Sequence, residues 1–383
     1  MSGSTLLVFT NFELISSGQR LRGQALHIRN GVIVDIVPET APHPTRCNVM
    51  DLGGNLMLPG LIDLQIYGSG NSLFGGHPAV AGLREMEVNL SRQGVTGFLA
   101  TIATNTTDVM EIGIESAHAF QQESIGNFWG LHLEGPYLSP ARRGAHPAEL
   151  IVTPAMDEVK ELIHKAQGCI RMMTIAPERV DPTIMHYLES EGVVLSAGHS
   201  NATYEEGKQF IHNPIRTVTH LYNAMPGLHH RDLSFLLAVF EDKPFASIVA
   251  DGIHVAYPMI KLAKRELREK LFLITDAVTH SSSGIYPHIL QNNDRYVMPD
   301  GTLSGSALTM LKAVQNCVKY CNISLEEAVN MATLYPAQVL KVSEKKGSIK
   351  VGCDADLCVM NADFEVVYTY IGGKCVYLAA DEN

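Results

Sequence analysis

Apolar residues recur through the middle of the chain as short, almost unbroken runs set between amphipathic stretches. Eight runs stand out: LIDLQIY (61–67), GFLATIAT (97–104), WGLHLEG (129–135), IRMMTIA (170–176), VVLSAGH (193–199), TVTHLY (217–222), FASIVADG (245–252) and LFLITDA (271–277). A strand covered on both faces has no polar side, so it reads as a continuous run rather than an alternation. Between the runs lie helical patterns such as LREMEVNLSRQG, DEVKELIHKA and YPMIKLAKRELREK. Strands alternating with helices predict a parallel α/β fold, and eight of them predict a closed (β/α)8 TIM-like barrel.

The two ends read differently. LHIRNGVIVDIV alternates apolar and polar positions around Asn30-Gly31, a dipeptide suited to a tight hairpin because both of its residues accept positive φ. ADLCVMNADFEVVYTYIGGKCVY alternates in the same way around Gly372-Gly373. Residues 1–57 and 345–383 are therefore expected to meet in one small β-sandwich domain, with 58–344 forming the barrel. After the eighth run, SSSGIYPHILQNNDRYVMPDG reads as irregular. ALTMLKAVQNCVKYC and LEEAVNMATLYP then read as helices, the second opened by a capping box of Ser324 and Glu327.

Composition narrows the class. The 383 residues are 46% hydrophobic and 18% charged, as in an ordinary globular enzyme. A formal net charge of −11 argues against nucleic-acid or anionic-membrane partners. A small anionic substrate stays compatible, because a few local donors outweigh a distant field. No run is long enough to span a membrane, and the first residues lack the basic and apolar regions of a secretory signal. The seven cysteines include no CxxC pair, so reduced thiols in a cytoplasmic protein are expected.

Chemistry enters with the ends of the runs. The first carries Asp63 and Gln65, the third His132 and Glu134, the fifth His199, the sixth His220, the seventh Asp251 with His254 beyond it, and the eighth Asp276. In a β/α barrel the carboxyl ends of all strands face one site, so these residues converge. Burying several carboxylates and imidazoles together is costly without a shared partner, and a cation is the simplest one. The competing reading is a network of structural hydrogen bonds. Glu134, His199 and His220 would leave a coordination position open, the mark of a catalytic rather than a structural metal site. Such an ion lowers the pKa of water and polarises a carbonyl, and Asp276 suits the general base and then the general acid.

Several motifs carry a more specific likeness: PGLIDLQIYG (59–68), HLEGPYL (132–138) with RGAHP (143–147), GHSNATYEE (198–206), THLYNAMPGLHHR (219–231), ADGIHV (250–255), LITDA (273–277), GTLSGSALTM (301–310), MATLYPA (331–337) and GSIKVGCDADL (347–357). In this order they resemble the amidohydrolase superfamily and, within it, the N-acetylglucosamine-6-phosphate deacetylase family. The resemblance implies hydrolysis of the N-acetyl group of N-acetylglucosamine 6-phosphate, giving glucosamine 6-phosphate and acetate, in amino-sugar catabolism. It implies a divalent metal on Glu134, His199 and His220, with zinc first and iron, cobalt or manganese as alternatives. Asp276 would be the acid–base and His146 would meet the reacting amide. Ala145, Asn223, Ala224, Arg231 and His254 would bind the sugar and its phosphate, while Asp251 and Leu303-Ser304-Gly305 would close around them. A homodimer is also implied, in which Arg231 or His254 could serve a neighbouring site.

The residues themselves fit this sharing. Arg231 offers a planar fork of donors, and backbone N–H groups near Asn223-Ala224 can replace the Gly-rich phosphate loop that the chain lacks. One departure matters. Many amidohydrolases carry His-x-His at the end of the first strand and use it for a second metal; here the positions are Gln65 and Tyr67. Neither side chain is a good ligand, so a single metal ion is expected, with Tyr67 altering substrate packing. Two rivals remain. One is an amidohydrolase acting on a cyclic amide or aminopurine. The other is a non-catalytic sugar-phosphate sensor, against which stand an intact Asp276 and the lack of a segment for DNA binding.

Overall fold

The computed structural model describes residues 6–280 and 284–380. The three serines that open the predicted irregular stretch, 281–283, lie outside the described residues.

All eight runs form strands: β1 (Leu61–Ile66), β2 (Val95–Ala103), β3 (Phe128–Glu134), β4 (Ile170–Ile175), β5 (Val194–Ala197), β6 (Thr217–Val218), β7 (Phe245–Val249) and β8 (Leu271–Ile274). They lie in one sheet in chain order, each parallel to the next. The sheet closes where β1 meets the end of β8, through a parallel bridge of Ile66 with Ala277 and the Asp276 N–H to Gln65 carbonyl bond of 3.0 Å. Every residue of β1 and β8 is buried, which is why their runs are almost wholly apolar, Asp63 and Gln65 of β1 excepted. Helices such as Met156–Ala166, Tyr257–Leu267 and Met310–Cys321 pack outside. Among the described residues, no helix is long and apolar enough to cross a membrane.

Asp63 serves the closing seam. It is fully buried and accepts from the Thr275 hydroxyl at 2.6 Å, the Thr275 N–H at 3.3 Å and the Gln65 N–H at 3.2 Å. Burial pushes its pKa up to about 7 against the pull of these donors. Asp63→Ala would remove the acceptor of the Thr275 hydroxyl proton and of the Thr275 and Gln65 amides at the seam. It is expected to lower the unfolding free energy by about 1–3 kcal/mol. Urea denaturation measures this, and an unchanged midpoint would remove the seam role.

The chain ends build two further sheets. One has four strands, with Leu6–Thr10, Gln24–Arg29, Val32–Pro38 and Cys47–Asp51. The other has six and joins Glu13–Ser16, Gln19–Leu21 and Leu56–Pro59 to Leu357–Met360, Val366–Ile371 and Lys374–Leu378. They share a core that includes Phe9, Leu26, Ile33, Met57, Val359 and Tyr370, so a sandwich drawn from both termini stands beside the barrel. Both expected hairpins form. Gly31 has φ 80°, and a Cβ there would sit 2.9 Å from the Gly372 carbonyl oxygen, so the two turns can touch only through glycine.

Two local expectations change. The stretch read as irregular contains a three-stranded antiparallel sheet of Ile289–Gln291, Arg295–Val297 and Leu303–Ser306. Asn292 and Asn293, at φ 53° and 59°, make its first turn; strands of three or four residues, the first of them exposed, leave little apolar signal. The capping box is only half made. Ser324 Oγ accepts the Glu327 N–H at 3.3 Å, but the Glu327 carboxylate is taken by Lys264 and by the Tyr335 hydroxyl.

Candidate active site

The strand ends deliver their polar side chains to one cavity of about 190 Å³. Glu134, His146, His199, His220 and Asp276 all line it. Three of these residues sit in left-handed backbone: His199 at φ 47°, His220 at 32° and Asp276 at 54°. Non-glycine residues hold that conformation only where their surroundings enforce it, and such strain gathers at functional sites. It also ends the strands early; β6 stops at Val218 although the apolar run continues.

Glu134 is the hub, and its two oxygens face different partners. Oε1 lies 3.1 Å from His220 Nε2, 3.4 Å from His199 Nε2 and 3.0 Å from Gln65 Nε2. Oε2 accepts the Tyr67 hydroxyl at 2.6 Å and lies 3.1 Å from His146 Nε2. His199 Nδ1 lies 2.8 Å from the Arg142 carbonyl, which can only accept, so Nε2 carries the lone pair that faces the cluster. His199 Nε2 and His220 Nε2 are 3.1 Å apart. The triangle of Oε1 and these two nitrogens therefore has edges of 3.1, 3.1 and 3.4 Å. A tetrahedral ion with bonds of about 2.0 Å needs edges of about 3.3 Å, so this donor set fits one. A second trio, Glu134, His146 and His199, also offers ligand atoms within 4.8 Å of one another.

Burial penalises the Glu134 charge. The surrounding imidazoles of His199, His146 and His220 outweigh it and hold the carboxyl well below its usual range. Asp276 shifts the other way: burial, joined by the Glu134 charge, raises it, with His220 opposing. Gln65 ties the two acids together, because its amide N–H groups are shared among Glu134 Oε1, Asp276 Oδ1 at 2.9 Å and the Tyr67 hydroxyl at 2.8 Å. Burial and the nearby His199 lower the His146 pKa, which favours its neutral form.

Around this centre the cavity takes in Ala145, Asn223, Ala224 and His254 on one side and Leu303, Ser304 and Gly305 on another. Asp251 stands behind His254. Its Oδ2 lies 2.5 Å from His254 Nδ1, and its Oδ1 accepts the backbone N–H groups of Ile253 and His254 at 2.8 Å. Arg231 is exposed and does not line the cavity. His132 also stays outside it, buried between the Leu64 carbonyl at 2.9 Å and the Thr174 hydroxyl at 2.8 Å, with burial pushing its pKa down to about 4. Sequence reasoning missed Tyr286 and His288, which line the cavity and are fixed by the Thr104 carbonyl at 2.6 Å and Ser304 Oγ at 2.9 Å. Their place in the loop after β8, at the mouth of the barrel, was the signal available.

This fold and cluster match a described class. The amidohydrolase family model matches residues 56–376, and the chain belongs to that family. Over 91% of its length the chain is 32% identical to the N-acetylglucosamine-6-phosphate deacetylase of Haemophilus influenzae, covering 93% of that protein. The crystal structure of the Pasteurella multocida N-acetylglucosamine-6-phosphate deacetylase superimposes with a TM-score of 0.91 at 31% identity, over 97% of this chain and 99% of that one. A variant of the Mycobacterium smegmatis enzyme, solved in complex with N-acetyl-D-glucosamine-6-phosphate, gives 0.86 at 26% identity, over 98% of this chain and 100% of that one.

Proposed function

We propose that the chain hydrolyses the N-acetyl amide of N-acetylglucosamine 6-phosphate, releasing acetate and glucosamine 6-phosphate. The observation that carries this reading is the 3.1, 3.1 and 3.4 Å triangle of Glu134, His199 and His220, set beside Asp276 in one cavity. These three residues would hold one divalent ion, zinc first. When bound, it would polarise the amide carbonyl and make water acidic near neutral pH.

The chain's own groups supply the rest. Asp276 takes a proton from the attacking water and returns it to the amine nitrogen as the C–N bond breaks. Gln65 fixes one Asp276 oxygen, which aims the carboxylate. His146 can give an N–H to the amide oxygen in exchange for its bond to Glu134. His254, which lines the cavity and is braced at Nδ1 by Asp251, is offered to a phosphate oxygen, with backbone donors near Asn223-Ala224 beside it. Arg231 is exposed on a loop that also exposes Leu228 and Leu233, at 48% and 49%. That arrangement supports a homodimer in which Arg231 serves the phosphate of the neighbouring site. Seven free cysteines support a cytoplasmic setting.

The test couples metal analysis of the purified protein to acetate release from N-acetylglucosamine 6-phosphate and from the unphosphorylated sugar. A strong preference for the phosphorylated sugar is expected, abolished when Arg231 and His254 are both changed to Ala. Equal rates on the two sugars would sink the sugar-phosphate assignment.

A further inference from the structure

Tyr67 occupies the position where a second histidine of the His-x-His pattern would stand, and it is tied to the centre from two sides. Its ring packs with Leu73, Val278 and Tyr296, joining the loops after β1 and β8 to the small sheet that follows. Its hydroxyl, on a residue only 8% exposed, donates to Glu134 Oε2 at 2.6 Å and accepts from Gln65 Nε2 at 2.8 Å. A free carboxylate can rotate and engage a cation through either oxygen or both. Here Oε2 is held by Tyr67 and His146, and Oε1 alone is turned towards His199 and His220.

We infer that Tyr67 is a positioning residue that fixes which oxygen of Glu134 meets the ion; this rests on the proposed metal site. A hydroxyl that merely satisfies its own burial would have no bearing on ion retention. The carboxylate-to-ligand relay would, because partners that orient a ligand typically change metal affinity about 10–100-fold.

Tyr67→Phe separates the two roles, since it keeps the ring in its apolar packing and removes only the hydroxyl. The measurement is the rate at which the zinc-loaded protein loses its ion to a chelator, alongside the melting temperature of the metal-free form. Ion loss about 10–100-fold faster than in the wild type is expected, with the metal-free forms melting alike. An unchanged rate of ion loss would overturn the inference and leave the metal site standing. Equal acceleration explained by a matching fall in the metal-free melting temperature would also overturn it, as a general packing effect. A wild-type protein that takes up no divalent ion would overturn the metal reading itself.

Discussion

Asp276→Asn is expected to lower turnover by about 10³-fold or more while leaving fold and metal content in place. The backbone at this residue is fixed on both sides: its N–H bonds the Gln65 carbonyl at 3.0 Å and its carbonyl accepts the Ser306 N–H at 2.9 Å. Asparagine matches the side chain in shape and still offers Oδ1 to Gln65 Nε2, which stands at 2.9 Å. What disappears is the capacity to take up and return a proton. A positioned acid or base contributes about 10²–10⁴-fold, and one residue serving both steps belongs at the upper end. Initial rates of acetate release, read with metal content and thermal melting, make the comparison. Near-normal turnover in a folded, metal-loaded variant would refute the role.

The barrel was readable because its strands are covered on both faces, which writes them as unbroken apolar runs. The centre was readable because closure turns position at a strand end into proximity. Glu134, His199, His220 and Asp276 needed no more than that. Depth was not readable. Asp63, Gln65 and Tyr67 follow a period of two and share the inward face of β1 and its extension, so pattern alone cannot say that Asp63 serves the seam while Gln65 and Tyr67 serve the cavity. Nor does hydrophobicity encode the left-handed backbone at His199, His220 and Asp276, which turns each side chain towards the centre. The place of Tyr286 and His288 depended on a short sheet with few apolar positions. Arg231 shows the reverse case: a donor well suited to phosphate by chemistry lies away from its own chain's cavity.

Two imidazoles compete for the third ligand position, and single substitutions are expected to separate them. His146 and His220 each place Nε2 3.1 Å from Glu134, and each leaves Nδ1 buried with no partner among the described residues. Outer hydrogen bonding therefore does not choose between them. The carboxylate does. His220 shares Oε1 with His199, and those three atoms have the edge lengths of a tetrahedral face; Oε1 also takes the Gln65 amide, but at 3.0 Å, whereas beside His146 the Tyr67 hydroxyl holds Oε2 at 2.6 Å and competes more strongly with a cation for its lone pairs. His220→Ala should then cost more than the roughly 10–100-fold in affinity that follows loss of an outer partner, leaving the dialysed protein nearly metal-free and inactive. His146→Ala should keep its ion within that range and lose turnover instead, because the group removed would act on the substrate amide. Elemental analysis after dialysis and chelator competition read the first effect, and acetate release at saturating metal reads the second. Retention of the ion by His220→Ala with its loss from His146→Ala would exchange the two assignments. It would also move the working oxygen of Glu134 from Oε1 to Oε2.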